Sequence, residues 1–198
     1  MKTKLLGVVG SLNSESLSRL AVRHVLEQAK ASGAEVRVLD LRDHPLPMFD
    51  PDSREGKEVD HARQEVGWAN AFLLGTPDYH GSMSGAMKNF LDYFWKEFAG
   101  KLFGYVCASH EKGLTPMDQM RTAVRQCYGW STPYGVSVTG SDFDTASGKV
   151  IHERVKGRLD SLAYDLTTYG ALLWAQFDAD VRGGNRAAGF AAHHQPRK

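Results

Sequence analysis

Little in this chain points to a structural metal, a charged macromolecular partner or a membrane. Its two cysteines, Cys107 and Cys127, are too few and too far apart for a C-x-x-C or zinc pattern. The formal charge is +1, from 24 Lys+Arg against 23 Asp+Glu, so no overall field draws the protein to DNA, RNA or an anionic membrane. No apolar stretch nears the roughly 20 residues that cross a bilayer, and a secretory apolar segment is missing, so a reducing cytoplasm is the expected location. Neither G-x-G-x-x-G nor G-x-x-x-x-G-K-[ST] is present, which argues against a dinucleotide cradle or a P-loop. Without G-x-S-x-G there is no elbow to expose a serine nucleophile. There is no internal repeat, and no linker is long enough to divide domains.

What is present is an alternation of apolar strands and amphipathic helices. With 198 residues and 42% hydrophobic content, the chain can bury one sizeable core. Leu5 to Gly10 reads as a buried parallel strand, and a helix follows over 16–30, with Leu17, Leu20, Ala21 and Val25 at helical spacing and Ser32-Gly33 closing it. Further strands are expected at 35–40, 70–75, 101–108 and 135–139, and helices at 55–66, 84–98, 117–127 and 149–176. Pro45, Pro47 and Pro51 make 44–51 irregular. From Asp178 onward periodicity fades, so 1–178 reads as one domain and 179–198 as a flexible C-terminal tail. Five strands separated by helical segments imply the α/β class, a three-layer sandwich around a parallel sheet. Its crevice opens at the carboxyl ends of the first and third strands.

Two polar loops converge on that crevice. Ser11-Leu12-Asn13-Ser14-Glu15-Ser16-Leu17-Ser18 gathers hydroxyls and the unpaired amides of a helix start around one point, which suits a phosphate. Gly75 to Gly85 builds a shelf of backbone donors beside Tyr79, where a planar cofactor can lie. Ser16 or Ser18 taken alone reads equally as a helix cap. Ser109-His110 at the end of the fourth strand reaches the same crevice, and His110 beside Glu111 lacks a third partner for a metal site. Lys88 and Asp92, four apart, read as an exposed ion pair, and the mixed run from Lys149 to Arg158 reads as a solvated helix face. Met83, Met87, Leu91 and Phe94, widened by Phe90, Trp95 and Phe98, form a stripe broader than one sheet face readily covers. It is either an unusually broad core face or a contact with a second subunit.

Gly10-Ser11-Leu12 through Ser16-Leu17-Ser18, with Pro77-Asp78-Tyr79-His80-Gly81-Ser82 and the run from Gly85 to Tyr93, resembles the NADPH-dependent FMN reductase family of flavodoxin-like proteins over about residues 3 to 176. The resemblance implies a five-stranded sheet in the order 2-1-3-4-5, FMN at the strand ends, two-electron transfer from NADPH or NADH to a small acceptor, and a homodimer or homotetramer. A quinone, free flavin, an azo compound or a metal oxyanion would serve as acceptor. It also implies that Ser11, Ser16, Leu17 and Ser18 surround the FMN phosphate, with Asn13 where an arginine is common; without that guanidinium, FMN either binds more weakly or leans on Arg19 from the following helical turn. Pro77, Asp78, Tyr79, His80 and Gly81 would border the flavin, with Asp78 and His80 where glutamate and asparagine are common, and Ser109 and His110 would narrow the pocket or face the acceptor. A non-enzymatic FMN electron carrier and a flavin-free interaction protein are the alternative readings of the same fold.

Overall fold

The computed structural model describes residues 2–144, 146–184, 187 and 189–195. Among these, six strands form one parallel sheet: β1 (Lys4–Val9), β2 (Glu35–Asp40), β3 (Ala71–Pro77), β4 (Leu102–Ala108), β5 (Trp130–Ser131) and β6 (Val136–Val138). The order is β2-β1-β3-β4, with β5 pairing at the start of β4 and β6 at its end. The two short strands therefore share one edge position, interrupted over 132–135, where Pro133 has no amide to donate to a ladder. The expected order 2-1-3-4-5 holds, and its fifth strand is split. A two-residue strand such as β5 is too short to leave a periodic signal.

Helices cover both faces, as the strand alternation requires. Leu6 and Val8 of β1 pack with Phe72 and Leu74 of β3 against α2 (Lys57–Trp68), α3 (Gly85–Asp92) and α4 (Leu114–Gln126). Leu5 and Val9 pack with Ala71 and Leu73 against α1 (Leu17–Ala31) and α5 (Glu153–Gly183) on the other face. Phe72 stacks on Phe103 with centroids 4.6 Å apart, and Phe98 meets both rings edge-on. Each such buried ring contributes roughly 2–3 kcal/mol of transfer free energy.

The helix expected over 84–98 is broken. It stops at Asp92 and resumes as a single 3-10 turn at Lys96–Phe98, with Trp95 at φ −133° and ψ −79° between them. The break lets Phe94 and Phe98 join Met87, Phe90 and Leu91 in the same core, so one chain covers most of the broad stripe and leaves Trp95 exposed. At the far end, α5 starts four residues later than periodicity suggests because His152 caps it, its Nδ1 accepting from Val155 N–H at 3.4 Å. The helix runs on to Gly183, and Gly189–His194 forms a 3-10 segment whose Phe190 stacks on Phe177 at 5.5 Å. Of the expected tail, residues 185, 186, 188 and 196–198 lie outside the described residues. No helix among the described residues is long and apolar enough to cross a membrane.

Candidate functional site

Hydrogen bonds between the strand ends place the loops side by side. Gly10 N–H donates to Gly75 O at 2.8 Å, Asp78 N–H to Ala108 O at 2.8 Å, and Ser109 N–H to Val138 O at 3.0 Å. Ser84 ties the first two loops together: its hydroxyl donates to Gly10 O at 2.6 Å and accepts from Met87 N–H at 3.1 Å, capping α3. That closeness dictates Gly10, where a Cβ would lie 2.7 Å from the Met87 Cβ.

The loop over 11–18 is held by its own short side chains. Ser11 Oγ accepts from Asn13 N–H, Asn13 Oδ1 accepts from Glu15 N–H, and Ser16 Oγ accepts from Arg19 N–H as the α1 cap. Ser16 Oγ also lies 3.0 Å from Ser18 Oγ, and Ser18 is wholly buried, so its hydroxyl reaches the loop interior only through Ser16. The N–H groups of Leu12, Ser14, Leu17 and Ser18 take no partner among the described residues. Unpartnered amides at the start of a 15-residue helix make a concavity suited to an anion.

The Arg19 guanidinium is fully engaged within the chain. Its Nε and Nη2 bind the Asp40 carboxylate, Nη1 donates to Asn13 O at 2.6 Å and Ser14 O at 3.2 Å, and Nη2 to Ser11 O at 3.1 Å. The guanidinium thus braces the loop from behind, its charge matched by Asp40 on the neighbouring strand β2.

The second loop is a two-residue hairpin turn. Tyr79 and Ser82 exchange N–H···O bonds at 2.9 and 3.1 Å around His80 (φ 56°) and Gly81 (φ 75°), the pattern of a type I′ turn. Gly81 takes the left-handed conformation freely, whereas His80 takes it against the clash of its Cβ with the backbone. Asp78 fixes the turn and joins it to the next loop: Oδ1 accepts from Gly81 N–H at 2.9 Å, and Oδ2 from Ser109 Oγ–H at 2.8 Å. The Tyr79 and Gly81 amides are thereby used within the turn, while His80 N–H has no partner among the described residues. Beneath the turn, burial and then the Asp78 carboxylate push the Cys107 thiol up to about 12, so this sulfur is a core atom rather than a nucleophile.

Between these loops lies a cleft of about 540 Å³. Of the residues expected at the site, Leu17, Pro77, Asp78, Tyr79, His80, Gly81, Ser109 and His110 line it. Ser11, Asn13, Ser16 and Ser18 stand in the neighbouring loop and are not part of the cleft lining. Tyr79 is 51% exposed, so its ring stands at the rim. Sequence reasoning missed Ala108, Glu111, Val138 and Thr139 as lining residues. The rule that ligands sit outside the carboxyl ends of parallel strands was the signal for the last two, which end and follow β6. The donor set fits a phosphorylated planar group: free amides and hydroxyls stand in one loop, and an open-walled cleft with an aromatic rim adjoins it.

A three-layer sandwich with an anion loop and a planar-group cleft at its strand ends defines a flavodoxin-like protein. Residues 3–144 match the family described as NADPH-dependent FMN reductase, and the chain belongs to that family. The FMN-dependent NADPH-azoreductase of Staphylococcus aureus is 32% identical over 146 residues, spanning 69% of this chain and 77% of its own. Among solved structures, FerB, a flavoenzyme NAD(P)H:(acceptor) oxidoreductase from Paracoccus denitrificans, superposes with a TM-score of 0.73 at 17% identity, covering 86% of this chain and 98% of its own. RosB with a bound 8-demethyl-8-formylriboflavin-5'-phosphate intermediate gives 0.73 at 14% identity, covering 87% and 81%. These two likenesses bear on the fold.

Proposed function

We propose that this chain is an FMN-dependent oxidoreductase that draws electrons from NADPH or NADH and delivers them to a small acceptor such as a quinone, free flavin, an azo compound or a metal oxyanion. The observation that carries this reading is the convergence of the amide-rich loop over 11–18 with the cleft beside Tyr79 at the ends of β1 and β3. When bound, FMN supplies hydride acceptance from the nicotinamide and onward electron transfer.

The chain's own groups bind and orient. The free amides of Leu12, Ser14 and Leu17, with the hydroxyls of Ser11 and Ser16, would hold the phosphate, Ser18 would support Ser16, and the Asn13 side-chain amide would offer a neutral donor. Without an arginine pointing inward, the phosphate charge rests on neutral donors and the α1 dipole, which favours weaker, exchangeable cofactor binding. Pro77 to Gly81 would border the ring, with His80 N–H available to its polar edge. The Asp78–Ser109 hydrogen bond keeps two walls at a fixed separation, and His110 leaves the mouth narrower than glycine would. A homodimer or homotetramer belongs to the same reading, and Trp95, left exposed just beyond the end of α3, supports it.

The test is an absorbance titration of the purified protein with FMN, followed by anaerobic NADPH. Perturbed flavin bands that bleach on NADPH addition are expected. A folded protein that leaves the spectrum of free FMN unchanged would overturn the reading and favour the flavin-free interaction protein.

A further inference from the structure

The 3-10 segment Gly189–His194 is fastened at the end of the sheet opposite the cleft. It packs beside Ala99, just ahead of β4, with Ala191 buried and Phe190 stacked on Phe177 of α5. Two backbone positions are shaped for that seat. Gly100, at φ 75°, stands where a Cβ would overlap the Phe177 ring. Tyr128, in the turn between α4 and β5, is held at φ 61°, which a tyrosine adopts only against its own Cβ, and its carbonyl accepts from Gly100 N–H at 3.0 Å. Its ring there lies parallel to Phe190 at 6.1 Å, and Trp130 meets Phe190 edge-on at 5.9 Å. Just past the segment, Gln195 Nε2 donates to Asp180 O at 3.1 Å.

Into this apolar seat the chain places a titratable group, His194. Its ring makes edge-on contacts with Tyr128 at 5.4 Å and Phe177 at 5.6 Å, and its Nε2 is buried without a hydrogen-bond partner among the described residues. A neutral ring leaves one nitrogen unpaired there, whereas imidazolium would bury an unpaired N–H together with a charge. Neighbouring charges add to that cost. Burial first, then His193 on the same segment and Lys96 on the adjoining 3-10 turn, hold the imidazole below its ordinary value. Carboxylates on the elements around it are engaged elsewhere: Asp178 with Arg182, Asp180 with Gln176, and Glu97 with Trp95 N–H. Lys101, ahead of β4, is a further cation below its value of about 8, while Cys127 and Tyr128 supply a thiol and a phenol rather than a carboxylate.

We propose that Gly189–His194 is an acid-released strap, seated while His194 is neutral and released on its protonation, which bares the face formed by Phe177, Tyr128 and Trp130. The proposal stands apart from the flavin reading, since it concerns the other end of the strands. Above about pH 6.5 the imidazole is neutral whether seated or released, and docking has its full strength. As the pH falls, the released ring takes up its proton first, so docking weakens by up to about tenfold per pH unit until the seated ring is itself protonated.

The test is hydrogen–deuterium exchange of the full chain, read by mass spectrometry at about pH 7.5 and 5.5 and corrected for the pH dependence of exchange itself. Wild-type protection over 189–194 should fall about tenfold between the two, while β3 keeps its protection and an apolar-surface dye gains fluorescence. His194→Phe fills the seat with a ring that takes no proton and should hold protection constant. His194→Gln, neutral but smaller, should dock more weakly at both values and equally so. A wild-type dependence no steeper than that of either variant overturns the proposal, as does a segment without protection at pH 7.5. Equal loss over β3 would mean global unfolding and would overturn it as well. So would a His194 imidazole that titrates by NMR above about 6.5, because the rings would then be holding its cation.

Discussion

Removing the brace behind the anion loop should reveal whether Arg19 shapes the loop or touches its occupant. Arg19→Ala deletes both donors to Asp40 and the bonds to Ser11, Asn13 and Ser14 carbonyls, leaving the carboxylate with only Arg42 N–H among the described residues. The two side chains are 17% and 12% exposed, so the pair is mostly buried. Breaking a buried pair from one side costs about 3–5 kcal/mol, and the remaining contact with water reduces this to roughly 2–4 kcal/mol. For a chain of this size that lowers Tm by roughly 5–12 °C. Asp40→Ala should cost a similar amount, and the double variant less than the sum, with a coupling of roughly 1.5 kcal/mol or more. FMN affinity should fall about tenfold in Arg19→Ala, because the loop must then be ordered at the moment of binding. Thermal unfolding of the four apo proteins and FMN titration of each give all the quantities. A Tm within about 2 °C of wild type, together with a hundredfold loss of FMN affinity, would show that the guanidinium contacts the phosphate directly and refute the bracing role.

Lys101 offers a pH test. Its Nζ donates to Val66 O at 2.8 Å between the rings of Phe72 and Trp174, and burial, partly opposed by Glu97, lowers the ammonium to about 8. Between pH 8 and 10.5 the unfolded chain holds a proton that the folded chain has released, so stability rises with pH there. Wild type should gain up to about 3 kcal/mol on Lys101→Met across that window in denaturant titrations, and a constant difference would contradict the burial argument. At the turn, His80→Gly or His80→Asn should leave Tm unchanged or slightly raised, while His80→Val should cost about 1–2 kcal/mol because a β-branched side chain resists positive φ. Equal stability of the valine variant would mean that the turn is not held in that conformation. Maleimide at pH 8 should label native Cys127, which is half-buried, and spare Cys107, which is fully buried with its thiol held near 12. Comparable rates by peptide mass mapping would place Cys107 on an open segment.

Local chemistry makes much of this protein readable in its sequence. Apolar runs such as Leu5 to Gly10 and Leu73-Leu74-Gly75 are strands because their residues face two helical layers, and that pattern is written in consecutive positions. Ser16 and Ser84 announce helix starts because a cap bonds an amide only three residues away. The Lys88–Asp92 pair was legible for the same reason, its atoms 2.6 Å apart across one helical turn. Non-local partners decided the rest. Arg19 looked like a free cation until Asp40, 21 residues on, lay beside it, and Ser109, read as narrowing the pocket or facing the acceptor, gives its hydroxyl to Asp78. The split fifth strand follows from which part of β4 each fragment meets, and the broken 84–98 helix from the need to seat both Phe94 and Phe98 in one core. The start of α5 is the clearest case. Helical spacing puts Arg154 and Arg158 on one face, but only the packing of α5 against β6 turns that face toward a groove that adjoins the cleft at the strand ends. Sequence determines which contacts a few residues can make, whereas the tertiary fold decides which charges remain unpaired and what they face.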